Sequence, residues 1–390
     1  MVMRSRAARL TLLALGATFL GLAIADACSI YDPSLLVGDA GVPDAASDAP
    51  QVDADTCGSA RWPTRPDKDD PSTKDYEFYD AVSLLDFGAA DAGVAPNYGF
   101  NLDGFCTCPM PDSCKPLGSD GGGPPKHCDD DGGVDNSGAA LIRQFSSSAG
   151  FFDQGYINTM IGKGVFGALF RIKGYNGQAN DTKVELSVYV SNGTEGVQQG
   201  VPAVPQLDGN DKWTIDPVSL LGGTIPDGGA PIPNAYDPTA YVRDGFLVAN
   251  LDFPLGIGAG NGDGLVTVDL SGSVIVAKLE PYQGAFRAKG VIGGRWPTTK
   301  LLKSIAVLHD PFDYDASLCG TNATYQALKP KICGYADITK NPSADGTNAP
   351  CDSISLGFAF ESTPATFGSV YGRTDGGTPC GPQWTDDCTQ

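Results

Sequence analysis

The chain has 390 residues and 41% apolar content, enough for a sizeable core, which excludes a disordered chain and a staple-dependent mini-protein. Fifty-one Gly and 29 Pro punctuate it too often for a helical bundle, and 41 of its 46 acidic residues are Asp, the carboxylate of turns, caps and hard-cation sites. A net charge of −20 repels phosphate backbones and excludes nucleic acid as a partner, while two histidines, His127 and His309, starve most nucleophilic and zinc chemistry.

Residues 1–27 have the layout of a secretory signal. Arg4, Arg6 and Arg9 form a basic start, residues 10–25 are apolar, and Ala25-Asp26-Ala27 places small residues at the cut. An apolar run of 16 is short of the roughly 20 residues a spanning helix needs. The mature protein is expected to have no transmembrane helix. With Cys28 next, the segment resembles the signals of bacterial lipoproteins, in which a cysteine after small residues becomes the lipidated N-terminus. That resemblance implies acyl chains on Cys28 and firm anchoring. The same small residues also suit ordinary signal peptidase, which leaves Cys28 a thiol. Residues 28–56 then form an acidic stretch rich in Ala, Pro and Gly with too little apolar surface to fold. It reads as a solvated tether of about 30 Å root-mean-square span. Removing its seven acids (Asp26 included) and the three signal arginines leaves 39 acidic and 23 basic residues, net −16.

The cysteines support the anchor. If Cys28 carries lipid, ten remain, an even number suited to disulfides in an oxidising compartment. They are Cys57, Cys106, Cys108, Cys114, Cys128, Cys319, Cys333, Cys351, Cys380 and Cys388. Two clusters of five cannot each pair fully, so at least one bond must join them across a cysteine-free middle of 190 residues. That predicts one domain, 57–390, whose ends meet. Cys106 and Cys108 are too close in an extended chain to favour each other and are expected to staple a loop to separate partners. A zinc site from Cys106, Cys108, Cys114 and Cys128 with His127 lacks a paired Cys-x-x-Cys, so disulfides are the better account.

Beyond Cys57 most of the chain has period two. Phe166, Ala168, Phe170 and Ile172 lead through Gly174-Tyr175-Asn176-Gly177 into Val184, Leu186, Val188 and Val190. Asp244-Gly245 precedes a strand from Phe246. Val266, Val268 and Leu270 are predicted to turn through Ser271-Gly272-Ser273 into Val274-Ile275-Val276-Ala277, as a hairpin. Ile354, Leu356, Phe358 and Phe360 make a further strand. Two short helices are expected, residues 297–308 and 139–145. The class is mainly β: a jelly-roll-like β-sandwich or an irregular barrel, stapled by disulfides.

Cys128-Asp-Asp-Asp-Gly-Gly-Val-Asp-Asn136, Tyr175-Asn-Gly-Gln-x-Asn-Asp181 and Gly290-Val-Ile-Gly-Gly-Arg-Trp296 resemble a group of uncharacterised myxobacterial lipoproteins, which also carry an acidic tether after the lipid cysteine. The resemblance implies a location and a domain, and no reaction. Ser29 lacks the acidic residue that some lipoproteins use for inner-membrane retention, which points to the outer membrane.

Two constellations offer chemistry. In Asp129-Asp130-Asp131-Gly132-Gly133-Val134-Asp135-Asn136, spaced carboxylates and glycines suit a calcium loop through Asp129, Asp131 and Asp135. His127 and Gly138 at the ends exclude an EF-hand, and the competing reading is an acidic turn whose Asp135 or Asn136 caps a helix. Gly256-x-Gly258-x-Gly260-x-Gly262-x-Gly264 lacks the final Gly of a dinucleotide loop and reads as a flexible loop. No Gly-x-Ser-x-Gly elbow exists, and His309-Asp310 reads as a helix C-terminal partner. The expected function is therefore a non-enzymatic binding or structural role at the cell envelope, with the membrane reached through the lipid alone and a glycan or envelope protein as partner. The rivals are a carbohydrate-active module, for which Trp62, Trp213, Trp296 and Trp384 supply raw material, and a calcium-dependent adhesin.

Overall fold

A computed structural model describes residues 60–88, 98–108, 112–117, 127–149, 152–226, 229–258, 265–310, 312–372, 380–381 and 384–388. The signal, Cys28, the tether and Cys57 lie outside these residues. Eight strands form a closed barrel: β1 (Tyr76–Asp86), β2 (Gly167–Tyr175), β3 (Asp181–Ser191), β5 (Ala235–Arg243), β6 (Phe246–Gly258), β7 (Leu265–Tyr282), β8 (Ala285–Pro297) and β11 (Ser353–Pro364). Each is antiparallel to the next, and β11 returns to pair with β1 through Asp80 opposite Pro364 and Leu85 opposite Phe360. The fold is mainly β and disulfide-stapled, and of the two expected forms it takes the barrel.

Period two explains the wall. Val184, Leu186 and Val188 of β3 point inward with Phe170 and Ile172 of β2 and Leu356, Phe358 and Phe360 of β11, all in one core cluster. Phe170, Ile172, Leu186, Leu247, Ile275, Ala277, Ala288 and Phe360 fill the barrel and leave no room for a water molecule between them. The alternate residues face out and pair across strands: Arg171 with Glu77 at 2.8 Å, Lys173 with Glu185 at 3.1 Å, Arg287 with Glu280 at 3.0 Å and Lys289 with Glu361 at 3.1 Å.

The hairpin expected at Ser271-Gly272-Ser273 does not form; β7 runs unbroken through it for 18 residues. Inward positions are Val266, Val268 and Leu270 before this point and Ile275, Ala277 and Leu279 after it, so the phase changes once. A single phase change is the mark of a β-bulge, and the register shifts between Ser271 and Val274. Gly256 and Gly258, read as loop, are paired in β6 opposite Thr267 and Leu265. The turn at Asp244-Gly245 stands as expected, with φ of 53° and 84°.

One end of the barrel is closed by helices: α1 (Ser137–Ala149), α2 (Gln154–Gly162), α3 (Thr298–Ile305) and α4 (Ala323–Gly334). They sink Leu141, Phe145, Ile157, Ile161, Leu301 and Ile332 into the barrel core. α1 and α3 match the two predicted helices. α2 and α4 are additional, each started by a side-chain cap, Asp153 on the Tyr156 N–H and Asn322 on the Tyr325 N–H. His309-Asp310 forms the short strand β9 instead of ending a helix, and it pairs with β10 (Asp313–Ser317). A smaller core, with Trp213, Tyr189 and Leu169, lies on the outer face of β1–β3. The parallel pair β4 (Lys212–Ile215) and β12 (Thr366–Val370) adjoins it.

Four disulfides link described residues: Cys108–Cys128, Cys114–Cys351, Cys319–Cys380 and Cys333–Cys388. Cys106 is disulfide-bonded as well, so the two neighbours do have separate partners. Cys114–Cys351 is the required bond between clusters, closing 237 positions with its Cα atoms 5.2 Å apart. A loop this long is costly to close, so the crosslink removes much unfolded-state entropy. Replacing both cysteines by Ser is expected to cost about 3–5 kcal/mol. The melting midpoint should fall by on the order of 10 °C. A calorimetric shift under about 2 °C would show that other contacts hold the two clusters together.

Candidate functional site

A polar layer covers the outer face of β8 and β11 near the helical end. Two glycines make room for it. A Cβ on Gly293 would lie 2.8 Å from the Phe100 ring, and one on Gly357 would collide with the Tyr98 carbonyl. The chain around Tyr98–Asn101 therefore lies directly on the sheet. Next to Gly293 in phase is Arg295, 1% exposed. It holds both oxygens of Asp345 at 2.7 and 3.1 Å and donates to the Thr339 and Leu102 carbonyls. One guanidinium thus ties two segments, at Leu102 and at Thr339–Asp345, to the barrel, a geometry that a lysine's point charge does not supply.

Four more carboxyls enter this layer. Asp135 accepts the Leu102 N–H at 2.6 Å, Asp129 the Thr107 N–H at 2.6 Å, and Asp103 the Phe105 N–H at 2.8 Å. Asp337 accepts the Ser355 N–H at 2.8 Å and its hydroxyl at 2.5 Å. Burial pushes Asp129 up to about 7, and the charges of Asp103 and Asp337 add to it while the Thr107 bond opposes it. Asp135 is raised for the same reasons, burial first and then Asp103, Asp129 and Asp337. Burial also raises Asp103, and it takes Asp337 to about 6. The arrangement holds protons near neutrality.

The calcium set is not brought together. Asp129 and Asp135 turn inward onto backbone N–H groups, but Asp131 is exposed on the intervening turn. Among the described residues no group of three or more His, Cys, Asp or Glu is placed to hold a metal ion. Asn136 does cap α1, its Oδ1 accepting the Ala139 and Gly357 N–H groups. Beside the layer a cavity of about 20 Å³, room for one water, is lined by Thr107, His127, Asp337, Cys114 and Cys351. His127 is half-buried and stacked on Tyr335 at 4.2 Å, and burial lowers its pKa. An open groove of about 420 Å³ runs past Lys300, Lys303 and Asp386, where Lys300 pairs with Asp269 and Asp386 with Lys329. Of the tryptophans, Trp213 and Trp296 are each 1% exposed, while Trp62 and Trp384 are half-buried and pack edge-on against Phe100 and Tyr325.

A further carboxyl, one that no motif singles out, lies inside the barrel. Asp80 is 0% exposed and in phase with Phe78 and Val82, and that alternation is its only signal in the sequence. The β8–β11 ladder stops at Lys289 opposite Glu361, and Asp80 and Ser362 repair the gap beyond it. Asp80 Oδ2 lies 2.7 Å from Ser362 Oγ, which is 2.9 Å from both the N and the O of Ala288. Ser362 Oγ donates to Asp80 Oδ2 or to the Ala288 carbonyl, and the Ala288 N–H is shared between Ser362 Oγ at 2.9 Å and Asp80 Oδ2 at 3.1 Å. The bonds to Oδ2 favour the ionised carboxyl, and burial, the larger effect, opposes them. Oδ1 has no partner, a position far cheaper for a neutral carboxyl.

Comparison with protein-family models, curated proteins and solved structures finds no match.

Burial raises Asp80 to about 7. A raised carboxyl binds its proton more tightly folded than unfolded, so its contribution is complete below the unfolded value near 4 and is lost as pH climbs through 7. Urea melts should show stability falling between pH 5 and pH 8, and Asp80→Asn should flatten that fall by about 2–3 kcal/mol. An unchanged slope in the variant would assign the pH dependence to the outer carboxyl layer instead.

Proposed function

We propose that this chain is an exported, lipid-anchored envelope protein whose barrel serves as a rigid, non-enzymatic binding or structural module on an acidic tether. The barrel wall is the observation that carries this reading. Its outward rows hold Arg171, Glu77, Lys173, Glu185, Arg287, Glu280, Lys289 and Glu361 in cross-strand pairs. Each of the Arg and Lys charges would cost about 2–4 kcal/mol at the middle of a bilayer, and each Glu somewhat less, so this wall belongs in water. A water-facing barrel stays at a membrane only if something else holds it there, and Cys28 with its acyl chains supplies that hold. A filled interior leaves the outer surface to meet a partner.

Cysteine parity supports the lipid. Nine of the ten cysteines after Cys28 are in disulfides, which leaves Cys57 for Cys106 once Cys28 is acylated. Cells fed an alkyne-tagged fatty acid should yield labelled protein in the outer-membrane fraction. Cys28→Ser should lose the label and become soluble, while non-reducing peptide mapping should join Cys57 to Cys106. Unlabelled wild-type protein carrying a free Cys28 thiol would overturn the reading.

A further inference from the structure

The Cys108–Cys128 disulfide differs from the other three among the described residues: both of its cysteines are exposed. Cys114 and Cys351 are 3% and 1% exposed, and the remaining four are half-buried. Its loop is also short, with 20 positions between the cysteines against 237 for Cys114–Cys351, so closing it constrains the unfolded chain less. Cys108 sits at φ 93°, in the left-handed half of backbone space that disfavours a side chain, and breaking the crosslink frees it to relax. Exposed, backbone-strained disulfides are the labile ones.

The residues that precede the two cysteines give the bond a consequence. Thr107 and His127 both line the small cavity whose wall includes Asp337 and the buried Cys114–Cys351 bond. Beside the crosslink the two segments also meet through the Thr107 N–H on Asp129 Oδ2 at 2.6 Å and the Asp129 N–H on the Thr107 carbonyl at 3.4 Å, and further along through the Leu102 N–H on Asp135 Oδ2 at 2.6 Å and the Asp135 N–H on the Phe100 carbonyl at 3.1 Å. The crosslink is thus a clasp across one wall of that cavity.

We propose that Cys108–Cys128 is a thiol-exchange site, opened by an external dithiol, and that its opening uncovers the cavity beside His127. One thiolate of the dithiol attacks one of the two sulfurs; an intermolecular S–S bond forms, the Cys108–Cys128 bond breaks, and the released thiolate takes a proton. The second thiol of the dithiol then attacks the mixed disulfide, leaving as a cyclic disulfide and freeing the second cysteine. Two electrons pass from the dithiol to the clasp.

The test is limited reduction of the folded full-length protein with dithiothreitol, followed by alkylation and peptide mapping over time. Cys108 and Cys128 should be alkylated together, about tenfold or more ahead of Cys114 and Cys351, with the far-ultraviolet spectrum unchanged. Simultaneous reduction of all the disulfides, or Cys108 and Cys128 trailing the rest, overturns the exchange site. On the selectively reduced protein, the His127 ring titration followed by NMR should move up toward the value of an exposed imidazole. A titration unmoved from that of the oxidised form overturns the uncovering. Cys108→Ser/Cys128→Ser should reproduce the opened state, and limited reduction of the wild type decides the matter if that variant does not fold.

Discussion

Every other feature of this molecule depends on one ladder, the return of β11 to β1. Seven antiparallel pairings arise between strands that neighbour one another along the sheet, but an open sheet of this composition would leave one face of each edge strand without partners. The eighth pairing removes both edges and encloses the column of Phe and aliphatic side chains. The seam is imperfect where β11 parts from β8, and the chain spends a buried carboxyl and a serine on completing it. Burial favours a proton on that carboxyl, so barrel closure and pH are coupled through Asp80.

The same logic of completing backbone groups with side chains governs the polar layer. Segments with little regular structure lie over β8 and β11, and their N–H groups end on Asp103, Asp129, Asp135 and Asp337. Five carboxyls gather there with a single buried arginine, Arg295. The excess is tolerated because protonation near neutrality removes charge that a dry site cannot hold. Disulfides add what hydrogen bonds in loops do not supply. They tie the cap to the C-terminal segments, where there are few strands.

Much of this was legible in the chain. The alternation at Val184–Val190 and Ile354–Phe360 marks half-buried strands, Asp244-Gly245 marks a left-handed turn, and an odd number of cysteines per cluster requires a bond between clusters. The errors share a cause. Ser271-Gly272-Ser273 looks like a turn because glycine and serine suit turns and bulges alike, and only the partner strands distinguish the two. Gly256 and Gly258 read as loop for the same reason. Helices α2 and α4 have weak apolar stripes and depend on caps and on the barrel end they cover.

By itself, then, the sequence determined what local chemistry can specify: strand periodicity, the turn at Asp244-Gly245, a helix cap at Asp135 or Asn136, and cysteine parity. Tertiary structure decided which carboxyls matter. Asp131 stands in the densest acidic run and is exposed, whereas Asp80, in an ordinary strand with no motif around it, is enclosed by the barrel. The reason is physical. A carboxyl's behaviour is set by the water it loses and the charges it meets, and both come from residues hundreds of positions away that only closure brings near.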